Sequence, residues 1–457
     1  MIVSFSTSNF RSIREEITLS LVASNRLSNS ELSHDNHAVP IPDSDEKVLR
    51  TAVIYGANGA GKSNIFRALE YFSHLILTTR SKNSSIFRQP FKFGSATGQT
   101  STFDLRFIAG KYLYRQFCRI DDTRIVEEYL VRERRGRETM LYERITHPTG
   151  EVAIKISKKL SKNDKLEALA KIGGPQNQTF MATILATLED DAIDSELRDV
   201  IAWHQRSLNL IAPDGPIVPV GHLLNTRDKF ADFAGEFLKS ASTGVDHLKV
   251  QKKNLTEDEL RNMLPERVFT EVMDTLAKPN HTSFVLQAGD GEEFAIEKDE
   301  TNHFYKLSVQ AAHRCRSGDV VSLDMSEESD GTRRLLNLLP ALDGINKDGG
   351  VYFIDEIDRS LHPILIRNFL KFFLESGSKS RHQIIVTTHE STLLDLDLFR
   401  RDEIWFTEKD PELSTHLYSL TEFQVRKDIQ LRKHYLLGRF GAIPFPGGFD
   451  HLISLEA

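Results

Sequence analysis

The sequence predicts an α/β fold with a mixed sheet core, an antiparallel β lobe and a helical insertion. Three observations carry that expectation. The apolar run Val53-Ile54-Tyr55 leads into Gly56-Ala57-Asn58-Gly59-Ala60-Gly61-Lys62-Ser63, a Gly-x-x-x-x-Gly-Lys-Ser loop, and a helical pattern at Ile65, Leu69 and Phe72 follows it. A second buried run, Val351-Tyr352-Phe353-Ile354, ends in two acids, Asp355 and Glu356. A third, Gln383-Ile384-Ile385-Val386-Thr387-Thr388, ends in His389.

Taken in order, residues 1–25 alternate as strands do, with Ile2, Phe5 and Phe10 and then Ile17, Leu19 and Leu21 as the apolar positions. A polar loop spans roughly 26–47. The phosphate-binding strand and helix run to about 80. From 102 to 155 short alternating segments separated by turn residues predict an antiparallel meander, with the charged run at 132–138 as a hairpin tip. Residues 156–281 switch to helical spacing, as at Ile193, Leu197, Val200 and Ile201, and again at Phe230, Phe233 and Phe237. The lysines at 158, 159, 162, 165 and 171 read first as a solvated helix face and second as a phosphate contact. Strands return from 282, and strands and helices alternate from about 332 to 420. The expected division is an N-terminal lobe at 1–155, a helical insertion at 156–281 and a C-terminal lobe at 282–457.

Composition narrows the function classes. The chain has 457 residues, 40% apolar and 27% charged, which is ordinary for a globular protein. Its net charge of −7 gives no overall basic field for nucleic acid or anionic membrane. Two cysteines without metal spacing suit a reducing compartment. The start lacks a signal-peptide pattern, and no apolar stretch is long enough to span a bilayer, so the expected location is the cytoplasm, away from membranes.

The motifs specify phosphate chemistry. Glycines let the backbone curl so that its N–H groups face a polyphosphate, which makes Asn58, Gly59, Gly61, Lys62, Ser63 and Asn64 candidate ATP contacts. Lys62 supplies a point charge, and the Ser63 hydroxyl is a candidate Mg²⁺ ligand. Asp355 would hold Mg²⁺, and Glu356 would orient or deprotonate the attacking water. His389 can reach a γ-phosphate. Ser329-Asp330-Gly331-Thr332, followed by a helical pattern, reads as a second phosphate-binding helix N-terminus through Ser329 and Gly331.

The order P-loop, long insertion, Ser-x-Gly helix, Asp-Glu strand and His strand resembles ABC-type ATPase heads of the SMC and RecF class. That resemblance implies two heads closing over two ATPs, with Ser329 and Gly331 acting in trans and Asp358 bridging the two sites. Asn9-Phe10-Arg11-Ser12 resembles the opening of such heads; Arg11 is then a nucleotide contact, or else an ordinary surface arginine. A glutamine touching Mg²⁺ is also implied, with Gln89 and Gln116 as the two candidates. Glu328-Ser-Asp-Gly-Thr332, Phe353-Ile-Asp-Glu-Ile-Asp358 with Leu361-His362-Pro363, Thr387-Thr-His389 and the tail (Val425-Arg-Lys-Asp428, Tyr435 to Pro444) narrow the likeness. They are similar to stand-alone ATPases of bacterial anti-phage and abortive-infection systems: the RloA and AbiL-type group, with AriA of PARIS and PtuA of Septu. The resemblance implies an ATP- and Mg²⁺-dependent homodimer or larger homo-oligomer that senses a phage-derived trigger. It would control a separate nuclease or toxin effector of TOPRIM or HNH type. The rival reading is a RecF- or SMC-like repair ATPase, with duplex DNA as its partner. The tail carries no derivable chemistry; Arg439 could reach a phosphate, and packing is at least as good an account.

Overall fold

In the computed structural model of this chain, all residues are described except 25–31, 82–83, 94–98, 214–219, 278–282, 288–292, 300, 344–348, 377–379, 425–429 and 444–457. Val425 to Asp428 and Pro444 of the tail motif therefore lie outside the described residues. The chain divides into two compact units: Met1–Ala212 with Ile345–Asp358 and Arg367–Ala457, and Pro213–Gly344 with Arg359–Ile366.

The first unit holds two sheets. One is mixed and six-stranded, in the order Leu208–Ile211, Val351–Ile354, Gln383–Thr388, Thr51–Gly56, Ile404–Lys409, Thr415–Ser419. Its first five strands are parallel and the last is antiparallel. Strands Val351–Ile354, Gln383–Thr388 and Thr51–Gly56 are buried at every position, as their unbroken apolar runs predict for strands covered on both faces. The other sheet is antiparallel and seven-stranded, in the order Val152–Ile156, Arg137–Thr146, Ile125–Arg134, Tyr112–Ile120, Ser101–Ala109, Ile2–Ser8, Ile17–Ser20. The expected hairpin tip turns at Arg135 and Gly136, both with positive φ.

The helix Lys62–Leu77 packs between these sheets and buries Ile65, Phe66, Leu69, Phe72, Leu75 and Ile76. Phe66 meets Phe353 of the mixed sheet edge to face at 5.4 Å, and Phe72 stacks on Phe103 of the antiparallel sheet at 5.6 Å. Such ring pairs add about 0.5–1.5 kcal/mol each to the burial of their area. The Gln383 amide joins the sheets. Its carbonyl accepts from Ile2 N at 2.7 Å, and its NH₂ donates to Ile2 O at 2.9 Å and Leu49 O at 2.8 Å. Arg50, fully buried, catches the end of helix Pro363–Glu375. Its guanidinium lies 4.9 Å from the Phe373 ring and donates to the carbonyls of Phe373, Leu374, Ser376 and Asn36. A helix leaves its last carbonyls without internal partners, and a buried cation there satisfies them.

The second unit is built on an antiparallel sheet, in the order Val245–Leu255, Phe304–Arg314, Glu293–Lys298, Ser283–Gln287, with Val320–Asp324 also on Phe304–Arg314. Helices Glu257–Met263 and Glu266–Leu276 cover part of it through Leu260, Phe269, Val272 and Leu276 against Phe294, Ile296 and Phe304.

The middle of the chain departs from the expected division. Helices Asp164–Ile172, Phe180–Thr187 and Ser195–Ala202 place Leu166, Phe180, Met181, Ile184 and Leu197 in the core of the first unit, so that unit extends to 212 and not to 155. The strand Val245–Leu255 adds a sheet component inside the stretch read as helical. The periodicity hid it because Lys249, Gln251, Lys252 and Lys253 place polar residues on both of its faces.

Candidate functional site

The loop after Thr51–Gly56 takes the shape its glycines permit. Gly59 and Gly61 have φ of +76° and +109°. Gly61 is also a point of close approach, because a Cβ there would lie 2.1 Å from Thr415 Oγ1. That hydroxyl donates to Ala60 O at 3.0 Å and meets Ser12 Oγ at 2.7 Å, bracing the loop from behind. The helix then begins at Lys62, and the first N–H groups of a helix lack partners one turn back, which favours an anion at this end.

Lys62 is buried. Its ammonium donates to Gly56 O at 2.7 Å and Ala57 O at 3.1 Å, and stands 3.2 Å from His389 Nδ1. Burial pulls its pKa down to about 8, against the opposing pull of Asp358, Asp355 and Glu356. Burial, with Lys62 beside it, also lowers the His389 pKa, which favours the neutral imidazole. The His389 backbone N–H donates to the Asp358 carboxylate at 3.3 Å.

Ser63 Oγ donates to Asp355 Oδ1 at 3.2 Å. A hydroxyl and a buried carboxylate that meet at the start of this helix form a hard-oxygen donor set, which suits Mg²⁺. Asp355 would hold that ion with Ser63, and the ion would supply charge neutralisation for a polyphosphate. Glu356 follows in the left-handed region, at φ +49°, a conformation that costs a non-glycine residue about 1–2 kcal/mol and is held by its surroundings. Its N–H donates to Thr387 Oγ1 at 2.8 Å.

Arg11 stands at the side of the same helix start. It too is left-handed, at φ +50°, with its N–H on Gln89 O at 2.6 Å. Its guanidinium donates to Gln89 Oε1 at 2.5 Å and Asn64 Oδ1 at 3.4 Å, and Asn64 Nδ2 donates to Ser12 Oγ at 2.6 Å. Burial and Arg67 lower the Arg11 pKa. The two candidate glutamines thus part company. Gln89 lies beside Arg11, whereas Gln116 is fully buried in the antiparallel sheet, where its carbonyl pairs with His204 Nε2 at 2.8 Å.

Asn58 and Gly59 line a cavity of about 230 Å³ with Glu408, Lys409, Ala442 and Ile443. The tail packs there. Tyr435 and Phe440 stack on Phe406, Tyr435 Oη donates to Ala442 O at 3.0 Å, and Gly441, at φ +65°, sits against Glu408 and Tyr418.

Ser329 and Gly331 belong to the second unit. Ser329 caps helix Asp330–Leu338, its Oγ accepting from Thr332 N at 3.1 Å. A Cβ on Gly331 would lie 2.9 Å from Ser360 O.

Of two bracing residues, Thr387 enters the sequence reading only as part of the Thr387-Thr-His389 motif, with no role of its own, and Thr415 does not enter it. Thr387 carried one signal, a hydroxyl within an apolar strand two residues before His389. Thr415 carried none, since its role comes from the fold bringing residue 415 to residue 60.

A strand–loop–helix with Lys62 and Ser63 meeting the acids of a neighbouring parallel strand defines a P-loop nucleotide-binding domain of the ATPase type. Residues 52–174 and 184–395 match the family described as "AAA domain, putative AbiEii toxin, Type IV TA system", and the chain belongs to that family. Comparison with curated proteins found no match. Among solved structures, an Smc head bound to the C-winged helix domain of ScpA is 13% identical, with 92% of this chain and 97% of that one covered and a TM-score of 0.43. The SMC head domain from Thermotoga maritima is 13% identical, with 93% and 99% covered and a TM-score of 0.36. An Smc head with an extended coiled coil, bound to the C-terminal domain of ScpA derived from Pyrococcus furiosus, is 14% identical, with 96% and 98% covered and a TM-score of 0.34.

Proposed function

We propose that this chain binds and hydrolyses ATP with Mg²⁺ and serves as the sensor and scaffold of an anti-phage system, controlling a separate nuclease or toxin through ATP-dependent assembly. One observation carries the ATPase part. Lys62, Ser63, Asp355 and His389, spread over more than 300 residues of sequence, meet within hydrogen-bond distance at the start of one helix. Lys62 and the helix N-terminus bind the β- and γ-phosphates. Ser63 and Asp355 hold the metal. Glu356 accepts the proton of the attacking water, and His389 senses the γ-phosphate. Asn58 and Asn64 border the polyphosphate, and Arg11 contacts the nucleotide.

The defence role is supported by the family's toxin–antitoxin description and by the sequence resemblance to abortive-infection ATPases. In this reading two copies close over shared nucleotide. Ser329 and Gly331 of one copy cap the ATP of the other, and Asp358 links the paired sites. Hydrolysis then removes the contact that holds the copies together, a two-state change driven by differential binding of the triphosphate.

The test compares wild type, Lys62→Ala and Glu356→Gln in ATP titration calorimetry, phosphate release and light scattering. Lys62→Ala is expected to lose ATP binding. Glu356→Gln is expected to keep it, lose turnover and remain assembled. Equal loss of affinity in both variants refutes the role given to Glu356, and a mass that does not change with ATP refutes the assembly.

A further inference from the structure

Asp355 and Glu356 leave the end of their strand together, yet the grip on both comes from the neighbouring strand. Thr387 is fully buried. Its hydroxyl donates to Asp355 Oδ1 at 2.6 Å and accepts the N–H of Glu356 at 2.8 Å, while its carbonyl accepts the N–H of Ile357 at 3.1 Å. One residue thus holds three successive residues of the acidic turn. The same strand ends at Thr388, and His389 follows directly.

We propose that Thr387 is a positioning residue that sets both acids through one hydroxyl and ties them to the strand that carries His389. The inference rests on the ATPase reading above and goes beyond it. A hydroxyl has one proton to give, and here it goes to the carboxylate oxygen that Ser63 also reaches. That donation fixes the carboxylate's rotation. Outer-sphere partners of this kind orient ligands and typically change metal affinity 10–100-fold when removed. The accepting side of the same oxygen satisfies the amide of a residue held at φ +49°, where a buried N–H without a partner is costly. Valine has threonine's shape without either bond. Serine keeps both.

The experiment uses the full chain as Thr387→Val and Thr387→Ser, with a fluorescent ATP analogue. Affinity is measured first in EDTA, and Mg²⁺ is then titrated at fixed nucleotide. In EDTA both variants are expected to bind within about twofold of wild type. The Mg²⁺ midpoint is expected to rise about tenfold or more in Thr387→Val and to stay within about threefold in Thr387→Ser. Steady-state turnover is expected to show kcat falling in the valine variant with KM little changed, and recovering in the serine variant. If the valine variant does not fold, Thr387→Cys, whose thiol is only a weak donor and a weak acceptor, takes its place with the same expected direction. A wild-type Mg²⁺ midpoint in the folded valine or cysteine variant overturns the proposal, as does a serine variant as impaired as valine. Either of those leaves the ATPase reading standing. A wild-type chain that binds no nucleotide overturns both.

Discussion

Raising the pH from 7 to 9.5 is expected to strip ATP from this site, with Lys62 setting the midpoint. Burial lowers the Lys62 pKa to about 8, and the triphosphate binds the charged ammonium. The sign follows from linkage. Below about 8 the ammonium is protonated and affinity is flat; above it, the free chain releases a proton that binding must restore, so affinity falls. One unit past the midpoint about nine in ten of these groups are neutral, and each further unit costs ~1.4 kcal/mol, or a tenfold rise in Kd. The fall continues until the pH reaches the higher pKa that the phosphates impose in the complex. The nucleotide's own phosphates stay ionised across this range, so the inflection belongs to the protein. Calorimetric or fluorescence titrations at constant ionic strength, every half unit from pH 7, measure it. Lys62→Arg is the control, because a guanidinium keeps its charge throughout and the slope disappears. Glu356→Gln removes an acid that holds the Lys62 pKa up, so its midpoint moves to lower pH. A wild-type Kd that is flat to pH 9.5, or an equal slope in Lys62→Arg, refutes the reasoning.

The glycines of the loop should differ sharply. Gly61→Ala drives a Cβ into Thr415 and loosens the brace on Ala60, a clash added to the ~1–2 kcal/mol that a non-glycine residue pays at positive φ, so ATP affinity should drop by more than about tenfold. Gly59→Ala meets nothing within 4 Å and should lose only the conformational part, as side-by-side titrations would show. Arg50→Met removes the cation that holds the end of helix Pro363–Glu375 and is expected to lower stability by ~3 kcal/mol, read as a shift in urea midpoint at constant slope.

Much of this was legible from local chemistry. The glycine loop, the apolar strands and the acids at their ends are signals written within ten residues, and the fold places Lys62, Ser63, Asp355 and His389 together as those signals imply. What stayed hidden depends on contacts distant in sequence. Gln89 and Gln116 are alike as letters; only the packing of His204 against Gln116 takes one of them away from the loop. The strand Leu208–Ile211 follows a π-helical turn at Trp203–Ser207 and is four residues long, too short for alternation to register. The boundary near 155 failed because a change of periodicity marks a change of element, and the helices after it still bury their apolar faces in the first unit. The tail resisted a chemical reading for a physical reason: Tyr435, Phe440 and Gly441 are spent on packing against Phe406, Glu408 and Tyr418.

The amide of Gln383 works as a rivet. Sliding the first strand of the chain past the strand Gln383–Thr388 by a single residue would leave the N–H and the C=O of Ile2 without the Gln383 amide in the dark interior, so the two strands are indexed to each other as teeth on a gear are. Leucine, with a similar volume, would fill the space and lose the indexing. A redesign of either strand has to carry a side chain there that both gives and takes a hydrogen bond.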